Sequence, residues 1–203
     1  MKSYEQKYQE RKKIQKNLIA KALKEKKPFF EDEGDDDIFE KEMLEVAKGK
    51  KRIDVLEWGT GYSTKYYSDV LAREDINFTW DSVEYDKRWA KAIGSLELEE
   101  GVIIYLFDEE VMRIDDRRAL RSNNYPMKEY INFPITEKRK YDLILVDGEK
   151  RVPCLRVALK VLKKDGIVIL HDAQRKEYRE GMSLYNGKHL SEKLWIGRKK
   201  QYR

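Results

Sequence analysis

The stretch Ile53–Thr64, IDVLEWGTGYST, decides how the rest of the chain is read. Ile53, Val55 and Leu56 form a short apolar, β-branched run of the kind that becomes a buried strand. Gly59 and Gly61 then supply a tight turn whose backbone N–H groups can approach a ligand with no Cβ in the way. Ser63 or Thr64 can cap the helix that follows, and the first N–H groups of that helix face the same place. Glu57 sits at the carboxyl end of the strand, where a carboxylate repels a pyrophosphate and attracts an ammonium or sulfonium group. The dinucleotide pattern G-x-G-x-x-G fails at its last position, which is Thr64.

Working outward, the same motif of an apolar run closed by a polar residue recurs. Phe78–Glu84, FTWDSVE, alternates as a second strand and ends in Glu84, 23 positions beyond Gly61. Val102–Phe107 reads as a third strand, followed by Asp108. Tyr141–Asp147, YDLILVD, is the strongest strand signal and runs into Gly148. A helix over Val152–Leu162 leads through a turn at Lys163–Gly166 into a fifth strand, Ile167–Leu170, closed by His171–Asp172. Crossover helices are expected over Ser63–Ala72 and over Asp86–Leu98, the latter with Trp89, Ala92 and Ile93 turned inward.

An acidic strand end followed by G-x-G resembles motif I of the class I S-adenosylmethionine (SAM)-dependent methyltransferases. The acid closing the second strand strengthens the likeness, since in that family it accepts hydrogen bonds from both ribose hydroxyls of SAM. The run from VDG through AL..LK.DG to ILHD is similar to many small-molecule and sugar O-methyltransferases. The resemblance covers roughly residues 36–198. It implies an α/β, Rossmann-like fold: a seven-stranded, mostly parallel sheet with helices on both faces and an antiparallel final strand, for which Leu194–Gly197 is the candidate. It also implies SAM as cofactor, held by Glu57, Trp58, Gly59, Gly61, Ser63, Glu84, Tyr85, Asp108 and Asp147. Asp147, His171 and Asp172 become the residues facing methyl transfer. The Asn/Asp-Pro-Pro-aromatic tetrapeptide of amino-methylating nucleic-acid enzymes is replaced here by DGEK.

Two acids and a histidine at adjacent strand ends also suggest a divalent ion, with Asp147 and Asp172 as ligands of Mg²⁺. The Asp-Asn pair of catechol-type enzymes is His171–Asp172–Ala173 here, which departs from that pattern. Without a metal, His171 or Asp147 can serve as general base; a histidine merely hydrogen-bonded beneath a loop is the structural alternative.

Two domains are expected. Residues 1–35 comprise a basic amphipathic helix ending before Pro28, with Ile14, Leu18, Ala22 and Leu23 on one stripe, and an acidic linker, FFEDEGDDD. Residues 36–203 are the methyltransferase-like domain, opening with a helix from Asp35–Asp37 to Gly49 that turns Ile38, Phe39, Leu44 and Ala47 inward. The basic helix either packs on the domain or a second subunit, or acts as an arm toward an anionic partner. Residues 109–140, which include Tyr125, Tyr130 and Phe133 around Pro126 and Pro134, read as an irregular segment whose aromatics form a substrate wall or a small core of their own. After Asp172, AQRKEYREG suggests a short helix or lid, and the tail two short strands around Asn186–Gly187.

Composition narrows the field. The 43 basic residues exceed the 38 acidic ones by only five, too small an excess to indicate nucleic-acid binding by itself. Cys154 is the only cysteine, which excludes an internal disulfide and a cysteine-cluster metal site. No apolar run approaches the ~20 residues needed to span a bilayer, and the basic start lacks a secretory leader's apolar segment. A cytoplasmic setting is the default. A dimer is compatible with the sequence, which sets no oligomeric state. The expected acceptor is a small molecule or a sugar hydroxyl. RNA or protein methylation is the alternative, and a non-catalytic SAM-fold binding module a third.

Overall fold

The computed structural model describes residues 4–28, 34–107 and 127–200. Helix α1 (Tyr4–Glu25) is followed by α2 (Asp35–Ala47), with three aspartates in its first turn where the helix dipole favours them. The apolar runs then become strands: β1 (Ile53–Trp58), β2 (Phe78–Glu84), β3 (Val102–Leu106), β4 (Tyr141–Val146) and β5 (Leu162–Leu170). Two short strands, β6 (Asn186–His189) and β7 (Trp195–Arg198), follow. All seven form one sheet in the order β3-β2-β1-β4-β5-β7-β6. Strands β1 to β5 are parallel, and β7 runs antiparallel to both its neighbours. The expected architecture is therefore present.

This order places the chemistry. From β1 the chain steps outward to β2 and β3, then returns to the other side of β1 as β4. The direction reverses between β1 and β4, so the crossovers diverge there and leave a crevice beyond the carboxyl ends of the strands.

Strand alternation assigns each side chain a face. Ile53, Val55, Trp80, Leu143, Leu145, Ile167 and Ile169 share one core with Phe39 and Met43 of α2 and with Tyr67 and Leu71 of α3 (Tyr62–Arg73). Leu56, Trp58, Val83, Ile144, Val146 and Leu170 share the other with Tyr130 and Phe133 of α5 (Lys128–Thr136) and Leu155 and Ala158 of α6 (Arg151–Val161). Between β2 and β3 lies α4 (Lys87–Gly94), whose start Asp86 caps by accepting from the Arg88 N–H at 2.9 Å; it ends at Gly94, short of the expected Leu98. Of its apolar side chains only Ile93 is fully buried; Trp89 and Ala92 are half-buried.

Two further expectations change. The aromatic stretch before β4 is not all irregular: Lys128–Thr136 is helical, with Tyr130 and Phe133 buried three residues apart. Pro134 is tolerated there near the helix end. Residues 109–126, with Tyr125 and Pro126, lie outside the described residues. The turn expected at Lys163–Gly166 is instead part of β5, as a bulge between the pairs Tyr141–Leu162 and Leu143–Ile167. Lys163 holds that excursion in place by donating to Asp54 Oδ2 and Asp142 Oδ2, each at 2.7 Å. Lys50 donates to the other Asp142 oxygen at 2.7 Å, closing an ion-pair cluster at the amino ends of β1 and β4. These cations hold the Asp54 and Asp142 carboxyls below the usual range, against the burial that would raise them.

After β5 come a 3₁₀ turn (Lys176–Tyr178) and the short α7 (Arg179–Met182). Among the described residues no helix is long and apolar enough to cross a membrane.

Candidate active site

A cleft of about 360 Å³ opens at the carboxyl ends of the strands. One side is the glycine turn, Gly59–Gly61 with Ser63, together with Glu84, Tyr85 and Trp89. The other is the end of β4 and β5: Asp147, Arg151, His171 and Asp172. Arg175, Tyr178 and Lys193 stand at its rim, and Leu18 of α1 reaches it from the N-terminal helix.

Glu84 is positioned by its own turn. Its Oε1 accepts from the backbone N–H groups of Tyr85 and Asp86, both at 2.7 Å, and the residue is almost fully buried although it borders the cleft. Burial pushes its carboxyl up to about 8, with the Asp86 and Tyr85 N–H groups pulling the other way.

Glu57 behaves differently from its expectation. It shares the parity of Ile53 and Val55, so alternation sends its side chain under the start of α3 and not into the cleft. There it takes four donors: Ser63 Oγ and Thr64 Oγ1 at 2.6 Å, Trp80 Nε1 at 2.9 Å and Ser82 Oγ at 3.0 Å. It is completely buried, and burial raises its carboxyl to about 7 despite those hydrogen bonds. Glu57 thus ties the glycine turn to β2 and does not border the cleft. Trp58 is likewise turned away: it is completely buried in the opposite core, donating from Nε1 to the Tyr130 carbonyl at 3.0 Å. Asp108 lies outside the described residues. Gly59, Gly61, Ser63, Glu84, Tyr85 and Asp147 all line the cleft.

Register brings the second half together. Val146 pairs with Leu170, so the next residues of the two strands, Asp147 and His171, stand side by side. Asp147 Oδ1 and His171 Nδ1 are 2.8 Å apart. Burial by itself would lower the imidazole's affinity for protons, but the Asp147 charge and hydrogen bond outweigh it and raise the His171 value. Burial works to raise Asp147, yet the His171 and Arg151 charges bring it below the usual carboxylate range.

Arg151 was not singled out by the sequence, and it organises this wall. It follows Lys150, whose left-handed backbone (φ 55°) turns the chain into α6. Its guanidinium donates to the Gly148 carbonyl at 2.8 Å, the Asp147 carbonyl at 2.7 Å and the His171 carbonyl. It also pairs with Asp147 Oδ1 at 3.1 Å and Asp172 Oδ2 at 3.3 Å, and lies 5.4 Å over the Tyr178 ring. Arg175 takes Asp172 Oδ2 from outside at 2.6 Å. Among the described residues no group of three or more His, Cys, Asp or Glu side chains is arranged to hold a metal ion.

No protein-family model matches the chain, and no curated protein does. Solved structures do resemble it. A methyltransferase-like protein from Silicibacter pomeroyi superposes with a TM-score of 0.56 at 18% identity, over 88% of this chain and 92% of that one. TrmN from Thermus thermophilus gives 0.49 at 13% identity over 80% of this chain and 48% of that one. The MycE methyltransferase of the mycinamycin pathway gives 0.49 at 13% identity over 79% and 45%. The chain thus spans nearly the whole of the first and about half of the other two. The likeness is one of fold: the chain has the sheet and crossover arrangement of a methyltransferase-like protein, the architecture that the glycine turn and the strand spacing anticipated.

Proposed function

We propose that the chain is a SAM-dependent methyltransferase that methylates a hydroxyl group of a small-molecule or sugar acceptor. The observation that carries this reading is the Asp147–His171 pair, 2.8 Å apart, on the wall of the cleft that Glu84 and the glycine turn also border. Glu84, Tyr85, Gly59, Gly61 and Ser63 hold the nucleoside and amino-acid parts of the cofactor. The fit rests on the chemistry of these donors and acceptors: a carboxylate suits a vicinal diol, and the N-terminus of α3 suits a carboxylate. Bound there, SAM supplies an electrophilic methyl group on a positively charged sulfur.

The chain's own part is then to position and deprotonate. Asp147 fixes the His171 ring through Nδ1, and the imidazole, which lines the cleft, is the base for the acceptor hydroxyl's proton. Arg151 keeps Asp147 ionised and in place. Tyr178 and Arg175 close the rim on the acceptor side. Isothermal titration with S-adenosylhomocysteine tests the cofactor half of the proposal: no binding removes it and leaves a non-catalytic module. Incubation with labelled SAM and panels of hydroxyl compounds, with His171→Gln as control, tests the rest.

One observation favours a second reading, in which the acceptor is RNA. Leu18 joins α1 to the cleft while Lys13, Lys16, Lys21 and Lys24 of the same helix stay exposed. Salt-sensitive RNA binding that vanishes on deleting residues 1–27 supports it; retention after the deletion removes it.

A further inference from the structure

We infer that the guanidinium of Arg151 occupies the place a divalent ion would take between Asp147 and Asp172, so that this cleft carries a built-in cation and does not recruit a metal. The two carboxylates at the ends of β4 and β5 are the natural ligands for an ion bridging those strands. In this chain their facing oxygens are already bridged: Arg151 stands 3.1 Å from Asp147 Oδ1 and 3.3 Å from Asp172 Oδ2. The same two oxygens take a further partner each, His171 Nδ1 on Asp147 Oδ1 at 2.8 Å and Arg175 on Asp172 Oδ2 at 2.6 Å.

Geometry makes the guanidinium hard to displace. Its side chain is 9% exposed. Three backbone carbonyls, those of Asp147, Gly148 and His171, accept from it, and the Tyr178 ring covers it. A planar five-donor fork satisfies such a set, whereas an ion would have to expel it and leave those carbonyls without donors. An ion entering beside it would meet two arginines at short range. A fixed positive charge also does part of what a metal does there, holding the Asp147 carboxyl ionised and pairing it with Asp172 across the strand ends. Arg151 is in this sense a positioning residue. The claim about the ion holds whichever acceptor is methylated; only the positioning role rests on the proposed function.

Mn²⁺ is the probe, because it broadens the resonances of a histidine beside it. His171 and His189 are the only histidines, and His189 is exposed on β6, so each reports separately. In the full-length wild-type chain, MnCl₂ is expected to leave His171 no more broadened than His189. In Arg151→Met, which removes the charge at similar bulk, selective loss of the His171 signal is expected. Arg151→Lys keeps a charge but not the fork; it is expected to exclude Mn²⁺ like the wild type. Selective broadening of His171 in the wild type or the lysine variant overturns the inference, as does its absence in a folded methionine variant. Should the methionine variant not fold, the wild-type and lysine results decide. Titration of the same samples with S-adenosylhomocysteine reports on the methyltransferase reading separately.

Discussion

Gly59 and Gly148 lie backbone against backbone at the switch point of the sheet. A Cβ on Gly59 would sit 2.6 Å from the Gly148 nitrogen, and one on Gly148 would sit 2.9 Å from the Gly59 nitrogen. Gly59 also holds φ 105°, which side-chain-bearing residues rarely adopt. Gly61, by contrast, has an extended φ of −147° and a candidate Cβ that meets only Ser63. The two glycines of the turn therefore have different tasks. Gly59→Val is expected to lower the melting temperature, since it forces β1 and β4 apart. Gly61→Val is expected to leave melting nearly unchanged and to abolish S-adenosylhomocysteine binding. If both act on stability alone, the turn is not a ligand cradle.

Glu84→Ala is expected to weaken cofactor binding by roughly 1–3 kcal/mol, the scale of losing charged hydrogen bonds. Because burial holds the carboxyl near 8, it is mostly protonated at neutral pH before the cofactor arrives. Two ribose hydroxyls donating to it favour the ionised form. Binding at pH 7 should thus release a proton, and affinity should climb with pH until about 8. Calorimetry in buffers of different ionisation enthalpy measures this; no proton release would mean that Glu84 does not accept both hydroxyls.

The folded Glu57 carboxyl sits near 7, above the ordinary glutamate value of 4.5. A group raised in this way contributes stability that is complete below pH 4.5 and is lost as pH rises through 7. The loss is on the order of 3 kcal/mol, at about 1.4 kcal/mol for each pH unit between those two values. Glu84 adds a similar slope up to about 8. Glu57→Gln retains partners for Ser63, Thr64 and Trp80 and carries no charge, so its unfolding free energy should fall less steeply over that range. Denaturant melts from pH 5 to 8 provide the comparison, and an unchanged slope would place the titration elsewhere.

Asp147 is what raises His171 against the burial that opposes it. In Asp147→Asn the His171 ring should therefore titrate lower than in the wild type, while exposed His189 stays put. NMR titration of the two rings checks this directly. The same variant is expected to lose turnover far more than cofactor affinity; equal losses would refute its assignment to the acceptor side.

Much of this was legible because strands announce themselves locally. β2 and β4 were readable from alternation or an unbroken apolar run, and Asp147 and His171 could be placed at strand ends by counting. Their adjacency needed only the parallel order. What escaped depended on partners far away in sequence. Glu57 looked like a cleft residue, and only the convergence of Ser63, Thr64, Trp80 and Ser82 on one face shows why it turns under α3. The β5 bulge reads as a turn in the sequence because Lys163 finds its partners on two other strands. Arg151 offered no local signal beyond lying four residues after Asp147, the spacing that lets a side chain at a helix start fold back over the preceding loop. Leu18 could be assigned to an apolar stripe, but not to the cleft it borders.

The ion-pair cluster of Lys50, Asp54, Asp142 and Lys163 occupies one pole of the sheet, and the cleft occupies the other. The strands between them carry two apolar cores, with the Glu57 network buried on one face, and the two poles share that scaffold. A protein arranged this way can have its robustness and its chemistry tuned on separate dials. Charge swaps among those four residues should move the temperature at which the chain melts, while substrate choice drifts independently through the rim at Tyr178, Arg175 and Leu18.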